Sequence, residues 1–148
     1  MSRLRHFLRC SWAERLLLLE AALVVSLAGL AVRTVPFRCL LRLAGTPQTE
    51  TPSAATPQHT VQAHRISWAV RAVVRHVPWN CTCLAQALAA RWLLARRGIA
   101  ATLYLGVQRD AHGAPCAHAW VRSGTLYVTG GPGHLQYRVI ATFGGRAA

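Results

Sequence analysis

The longest apolar run of the chain lies near its start, at residues 16–32, LLLLEAALVVSLAGLAV. This run is at the lower limit of length for a bilayer-spanning helix, and Glu20 would lie inside the bilayer. Shortened to residues 21–32, it suits a buried helix or a helix at a membrane surface, ending before Pro36. The pattern therefore predicts an apolar N-terminal helical segment, residues 1–43, that packs on the domain or on a partner, or contacts a membrane.

The apolar pattern stops at residues 44–59, AGTPQTETPSAATPQH, which are rich in proline and threonine. Such a composition is typical of a polyproline-like or disordered linker. It predicts that the N-terminal segment is separated from a second unit, residues 60–148.

A helical period of apolar residues returns after residue 60. One stripe is formed by Val61, Ile66, Ala69, Val70, Val73 and Val74, and this helix should end before Pro78. The following run, CLAQALAARWLLARRG, is apolar on more than one face. It predicts a central helix that stops near Gly98.

The period then changes to two, which is the period of a β-strand. The runs ATLYLGV, HAWVR, TLYVT and YRVIATF predict four short strands, with turns at residues 110–115 and at Ser123-Gly124. Helices followed by strands are typical of an α+β fold. We therefore expect N-terminal helices packed on a short antiparallel sheet.

The chain is strongly basic: it has seventeen basic and four acidic residues, and its formal net charge is +13. This excess favours contact with nucleic acid, a membrane surface or an acidic partner. The basic residues are all arginines, but they are scattered and accompany no nucleic-acid motif, so we expect no nucleic-acid binding. The start of the chain lacks the pattern of a signal peptide. We therefore expect reduced cysteines and a cytoplasmic protein, or one peripheral to the inner face of the membrane.

Five cysteines raise the question of metal binding or catalysis. Cys81, Cys83, Cys116 and His118 supply four zinc-type ligands, but their spacing matches no common zinc module, so we expect no metal. Free cysteines are usually buried core residues, and we interpret Cys10, Cys39 and Cys116 in that way. Cys83 differs because it falls at the first turn of the central helix, where free N–H groups and the helix dipole stabilise a nucleophilic thiolate.

A thiolate enzyme needs an imidazole, and His118 opens one of the predicted strands. If Ser123-Gly124 is a two-residue turn, Arg122 lies opposite Thr125 and His118 lies opposite Thr129. An ordinary buried pair of His118 and Trp120 is the alternative to a catalytic role.

The run CLAQALAARWLLARRGIAATLYLGV, followed by AHAWV and VTGG, resembles the B2 protein family of lasso-peptide biosynthesis. The order and spacing of C-L-x-x-A-L, R-G-I and H-A-W-V carry this resemblance over residues 65–143. Members of that family are transglutaminase-like cysteine peptidases with a papain-like core. They remove the leader from a ribosomally made precursor peptide.

The resemblance implies that Cys83 is the nucleophile and His118 the general base, with no cofactor. It also implies a separate winged-helix protein that recognises the leader, and an ATP-dependent lasso cyclase that acts next. The apolar N-terminal helix is a docking surface for either partner.

The family often has an acid after the histidine, but here no Asp or Glu follows Asp110. The predicted hairpin register nominates Thr129 instead, with its hydroxyl or a nearby carbonyl as the acceptor that orients His118. Two other classes stay open: a thiol acyltransferase of the same fold, and a non-catalytic, membrane-attached scaffold subunit.

Overall fold

A computed structural model describes residues 10–145 of the chain. Residues 1–9 of the predicted N-terminal segment and residues 146–148 of the predicted second unit lie outside the described residues. Within residues 10–145, four α-helices precede most of the strands: α1 Trp12–Thr34, α2 Phe37–Ala44, α3 Pro57–Val74 and α4 Cys83–Ala95.

The strands form one antiparallel sheet of five strands in the order β1-β5-β2-β3-β4. Their bounds are β1 Thr46–Pro47, β2 Ala101–Arg109, β3 Pro115–Ser123, β4 Leu126–Thr129 and β5 Arg138–Gly145, with a short 3₁₀ turn at His134–Gln136. The prediction of an α+β fold with helices on an antiparallel sheet is confirmed. The four predicted strands are β2 to β5, and β1 was not predicted.

The central position of α4 follows from its composition. Most of its alanines and leucines are buried in one core with α1, α3 and the sheet, and among them Leu93 and Leu94 are fully buried. On the sheet side this core contains Ala119 and Val121 of β3. Small residues on α4 allow the helix backbone to lie close to the strands. The packing therefore holds the N-terminus of α4 in a defined position against the sheet.

The segment predicted as a polyproline-like or disordered linker is folded instead. Thr46 and Pro47 pair with β5, and the buried Thr51 donates its backbone N–H to the Thr102 hydroxyl at 2.8 Å. The helix after it begins at Pro57, where Thr56 is the N-cap residue and proline suits the first helical position. Composition alone was misleading because long-range pairing with the sheet satisfies these backbone groups.

Helix α1 is long and apolar enough to cross a bilayer by length and composition. In this fold, however, one of its faces packs on α3 and α4 and buries Leu17, Ala21, Val24 and Val25. The expectation that the N-terminal helix packs on the domain agrees with this arrangement. Its opposite face is exposed.

The β3–β4 hairpin differs from its predicted register. Ser123 pairs with Leu126, so the two-residue loop is Gly124-Thr125 rather than Ser123-Gly124. Gly124 has φ +58°, and a glycine at the first loop position is the requirement of a type II′ hairpin turn. A bulge between Val121 and Arg122 shifts the pairing further. Thr129 consequently lies opposite Val121, and its predicted position opposite His118 is wrong.

Candidate active site

Cys83 is the first residue of α4, as predicted. The side chain of Thr82, the N-cap residue, accepts a hydrogen bond from the backbone N–H of Ala85 at 3.2 Å and so determines where the helix begins. The Cys83 thiol is free and half-buried against the core. The first turn of a helix presents N–H groups without intrahelical acceptors and the positive end of the helix dipole. Cys83 therefore lies where unpaired backbone N–H groups are available to an anionic group.

Cys81 has a different environment. Its carbonyl accepts a hydrogen bond from the Gln86 side-chain amide at 2.9 Å, which ties the loop to the first turn of α4. Burial raises the pKa of the Cys81 thiol, while the charge of Arg33 acts weakly in the opposite direction. A raised pKa disfavours the thiolate at neutral pH. Cys81 therefore fits a supporting role in the loop.

His118 lies on β3 opposite Gly106 of β2 and belongs to an aromatic cluster on the sheet. Its ring centroid is 5.7 Å from that of Trp120 and 4.9 Å from that of Tyr137. A Cβ at Gly106 would lie 2.8 Å from atoms of both Trp120 and Tyr137, so glycine is needed there for these rings to close over the strand. The cluster holds the imidazole in a defined orientation.

The acceptor that orients the imidazole is the carbonyl of Gly130. The distance from His118 Nε2 to this oxygen is 3.2 Å. A carbonyl can only accept, so Nε2 donates its proton and Nδ1 keeps the lone pair that a general base requires. Gly130 has φ +67°, and a Cβ there would lie 2.8 Å from His118 Nε2 and 2.7 Å from the Trp120 Cβ. Glycine is therefore required both for the backbone conformation and for the close approach.

Thr129 does not serve as the predicted acceptor through its hydroxyl. Its Oγ1 is buried and has no hydrogen-bond partner, because the hairpin register places the residue opposite Val121. The predicted alternative was a nearby carbonyl, and the structure places the carbonyl of Gly130, the next residue, beside His118. The VTGG run already contained Gly130, but nothing in the sequence pattern distinguished its carbonyl from the Thr129 hydroxyl.

Tyr137 was not predicted as a site residue, yet it contacts both His118 and Cys116. Its hydroxyl lies 3.7 Å from the Cys116 sulfur, and its ring packs on His118. The pKa of Tyr137 is raised, mainly by the hydrogen bond with Cys116 and then by desolvation.

Within the described part of the chain, no hydrogen bond joins Cys83 to His118 directly. Contacts between a nucleophile and its base are often long in a substrate-free enzyme and tighten when substrate binds. Cys116, interpreted from the sequence as a core cysteine, is half-buried beside Tyr137 and so borders this site.

The cysteines and His118 were also considered from the sequence as ligands of a metal ion. Among residues 10–145, no three His, Cys, Asp or Glu side chains are arranged to hold a metal ion. Cys81, Cys83, Cys116 and His118 therefore do not form the four-ligand cluster that was considered from the sequence.

The match of this chain to a family model agrees with the fold. The model of the transglutaminase-like superfamily matches residues 22–142. The chain belongs to this superfamily, whose members are typically cysteine-dependent enzymes and include peptidases and acyltransferases. The matched range includes most of α1, so this helix is part of the family's domain. No curated protein and no solved structure shows significant similarity to the chain.

The contact between Gly130 and His118 leads to a first prediction. Gly130→Ala should lower turnover roughly ten- to a hundredfold, because a mispositioned base loses part of the 10²–10⁴-fold that acid–base catalysis supplies. The methyl group would press on His118 Nε2 and displace the acceptor carbonyl. Nitrogen NMR of the imidazole should show a smaller fraction of the Nε2-protonated tautomer, which a general loss of stability would not change.

Thr129→Val is the neighbouring control. It removes an unpaired buried hydroxyl without disturbing the Gly130 carbonyl, so activity should stay within about twofold and the melting temperature should hold or rise. A tenfold loss in Thr129→Val, with Gly130→Ala unaffected, would restore Thr129 as the orienting residue.

Proposed function

We propose that this protein is a cysteine peptidase that removes the leader peptide from a lasso-peptide precursor. The observation that carries the proposal is the tautomer of His118. Its Nε2 donates to a backbone carbonyl, which leaves Nδ1 as the base, while a half-buried thiol occupies the N-terminus of the neighbouring helix α4. The resemblance of the CLAQAL, HAWV and VTGG runs to the B2 family supports the choice of substrate.

In the proposed reaction His118 Nδ1 takes the proton of Cys83, and the sulfur attacks the carbonyl carbon of the bond between leader and core. Backbone N–H groups at the start of α4, including that of Cys83, stabilise the oxyanion. The C–N bond breaks, and the imidazolium donates its proton to the amine of the core peptide. Water, deprotonated by His118, then hydrolyses the thioester and releases the leader.

The group that orients His118 is uncharged, since it is the backbone carbonyl of Gly130. A carbonyl holds the tautomer of His118 but stabilises the imidazolium less than a carboxylate does, since it carries no full charge. Efficient catalysis by this site therefore depends on accurate positioning of the substrate.

We infer that a separate winged-helix protein supplies that positioning and that an ATP-dependent cyclase takes the product. Before α3, the described residues form α1, α2 and the two-residue strand β1, and these elements pack into the same core as the rest. This arrangement differs from a winged-helix unit. The core peptide leaves the peptidase with a free amine, which is the group that a macrolactam-forming cyclase consumes.

The test is incubation of purified protein with its precursor, followed by mass spectrometry. Alone, the protein should cleave slowly, and the leader-binding protein should raise the rate by about 10²-fold or more through proximity. Added hydroxylamine identifies the acyl acceptor, because an acyltransferase would yield mainly leader hydroxamate whereas a peptidase yields mainly free leader. Rapid cleavage without a partner would show that this chain recognises the leader itself, and no cleavage in any mixture would contradict the peptidase proposal.

A further inference from the structure

The exposed face of α1 carries five leucines in one continuous line. These residues, the leucine stripe, are each 55–61% exposed and follow a spacing of three or four residues: Leu16, Leu19, Leu23, Leu27 and Leu30. That spacing places them on one side of the helix over a length of about 20 Å. Trp12 continues the line at the N-terminal end and is 76% exposed. Single exposed leucines are ordinary, but an unbroken line of this length indicates a contact surface.

The polar groups of α1 are used elsewhere. The Glu14 carboxylate accepts hydrogen bonds from the backbone N–H and the hydroxyl of Ser11. Glu20 forms ion pairs with Arg96 and Arg97 of the loop after α4. The Ser26 hydroxyl donates to the carbonyl of Ala22. The surface along the leucine stripe therefore offers apolar contact without hydrogen-bonding groups of its own.

Three arginines follow the stripe along the chain. Arg33 near the end of α1 and Arg38 and Arg42 on α2 are exposed. On the same short helix, Phe37 is 52% and Leu43 is 75% exposed. A second copy of this chain would match the stripe in shape but would bring a like net charge of +13. A partner that complements this surface has an apolar interior and anionic groups at its boundary.

We propose that the leucine stripe, together with Trp12, Phe37 and Leu43, lies in the surface of an anionic lipid membrane. Leucines enter the region of the acyl chains, and the arginines contact lipid phosphates. The helix lies in the plane of the membrane, because crossing it would remove Leu17, Ala21 and Val25 from the core and break the ion pair of Glu20 with Arg97. The enzyme is thereby held at the membrane with its own fold intact.

The experiment is co-sedimentation of the full chain with vesicles of phosphatidylcholine or of a phosphatidylcholine–phosphatidylglycerol mixture. Wild-type protein should bind the mixed vesicles at least about tenfold more tightly than the neutral ones, and added salt should weaken binding. The triple variant Leu19→Gln, Leu23→Gln, Leu27→Gln should bind about a hundredfold more weakly. Arg38→Gln with Arg42→Gln should weaken binding to the mixed vesicles while leaving the weak binding to neutral ones unchanged.

Val61→Gln with Leu135→Gln is the matched control, since these exposed apolar residues lie outside the stripe, on α3 and in the 3₁₀ turn. It should bind like wild type, as should Cys83→Ala, which makes the result independent of the proposed peptidase activity. Circular dichroism should show the same melting temperature for all variants, because the altered side chains are exposed. Equal binding by the triple variant would overturn the proposal. It would also be overturned by failure of the wild type to bind mixed vesicles, or by a solution dimer that the triple variant disrupts.

Discussion

Cys83→Ala is expected to reduce leader release by roughly 10⁴-fold or more, because loss of the nucleophile removes the covalent route. The residue begins α4, and its thiol is free and packs against the core. The side chain is half-buried and its replacement is small, so the melting temperature should change little. Quantitative mass spectrometry of the precursor, with the leader-binding protein present, measures the loss.

Cys81→Ala is the matched control for this variant. Cys81 contributes its backbone carbonyl to Gln86, and alanine keeps that carbonyl, so most activity should remain. Equal losses in Cys81→Ala and Cys83→Ala would contradict the assignment of a single nucleophile and favour a shared metal site. Stoichiometric zinc in the purified protein would lead to the same conclusion.

His118→Ala should cost about 10²–10⁴-fold, which is the usual contribution of a general acid–base residue. The imidazole has one nitrogen committed to the Gly130 carbonyl, and the other is available to accept the thiol proton. Its loss should also remove the corresponding ionisation from the pH–rate profile, an effect that a purely structural role of the ring would not produce. Rates measured across neutral pH at saturating leader-binding protein provide this profile.

His76→Ala serves as the comparison for His118→Ala. His76 is exposed at the end of α3, and its ring contacts the carbonyl of Ala72 in its own helix. Activity and pH profile should match the wild type. If His118→Ala retained wild-type activity, His118 and Trp120 would be an ordinary aromatic pair on the sheet and another residue would be the base.

Most of the secondary structure could be predicted because it depends on neighbours in the sequence. The period of two in ATLYLGV and YRVIATF predicted β2 and β5, and the apolar run CLAQALAARWLLA predicted a buried α4. The stripe on α3 was predicted less accurately, since Val61 is exposed while Ala63 and Ser67 are buried. Strand β1 was missed because a two-residue strand has no period, and only its pairing with β5 defines it.

The places of Cys83 and His118 in the fold were also predictable. The placement of Cys83 at the start of a helix follows from the cap residue Thr82 and the apolar run after it, and His118 stands in an alternating strand pattern. Neither statement required knowledge of distant contacts.

The sequence by itself determined most of the helices and strands, the α+β fold, and where a helix-terminal thiol and a strand histidine stand. These features follow from periodicity and capping, which act over a few residues. The tertiary structure decided that Gly130 rather than Thr129 orients His118, that Tyr137 links His118 with Cys116, and that residues 46–47 join the sheet. The reason is that register depends on the turn at Gly124 and on the bulge after Val121, and ring contacts depend on chain segments far apart in sequence.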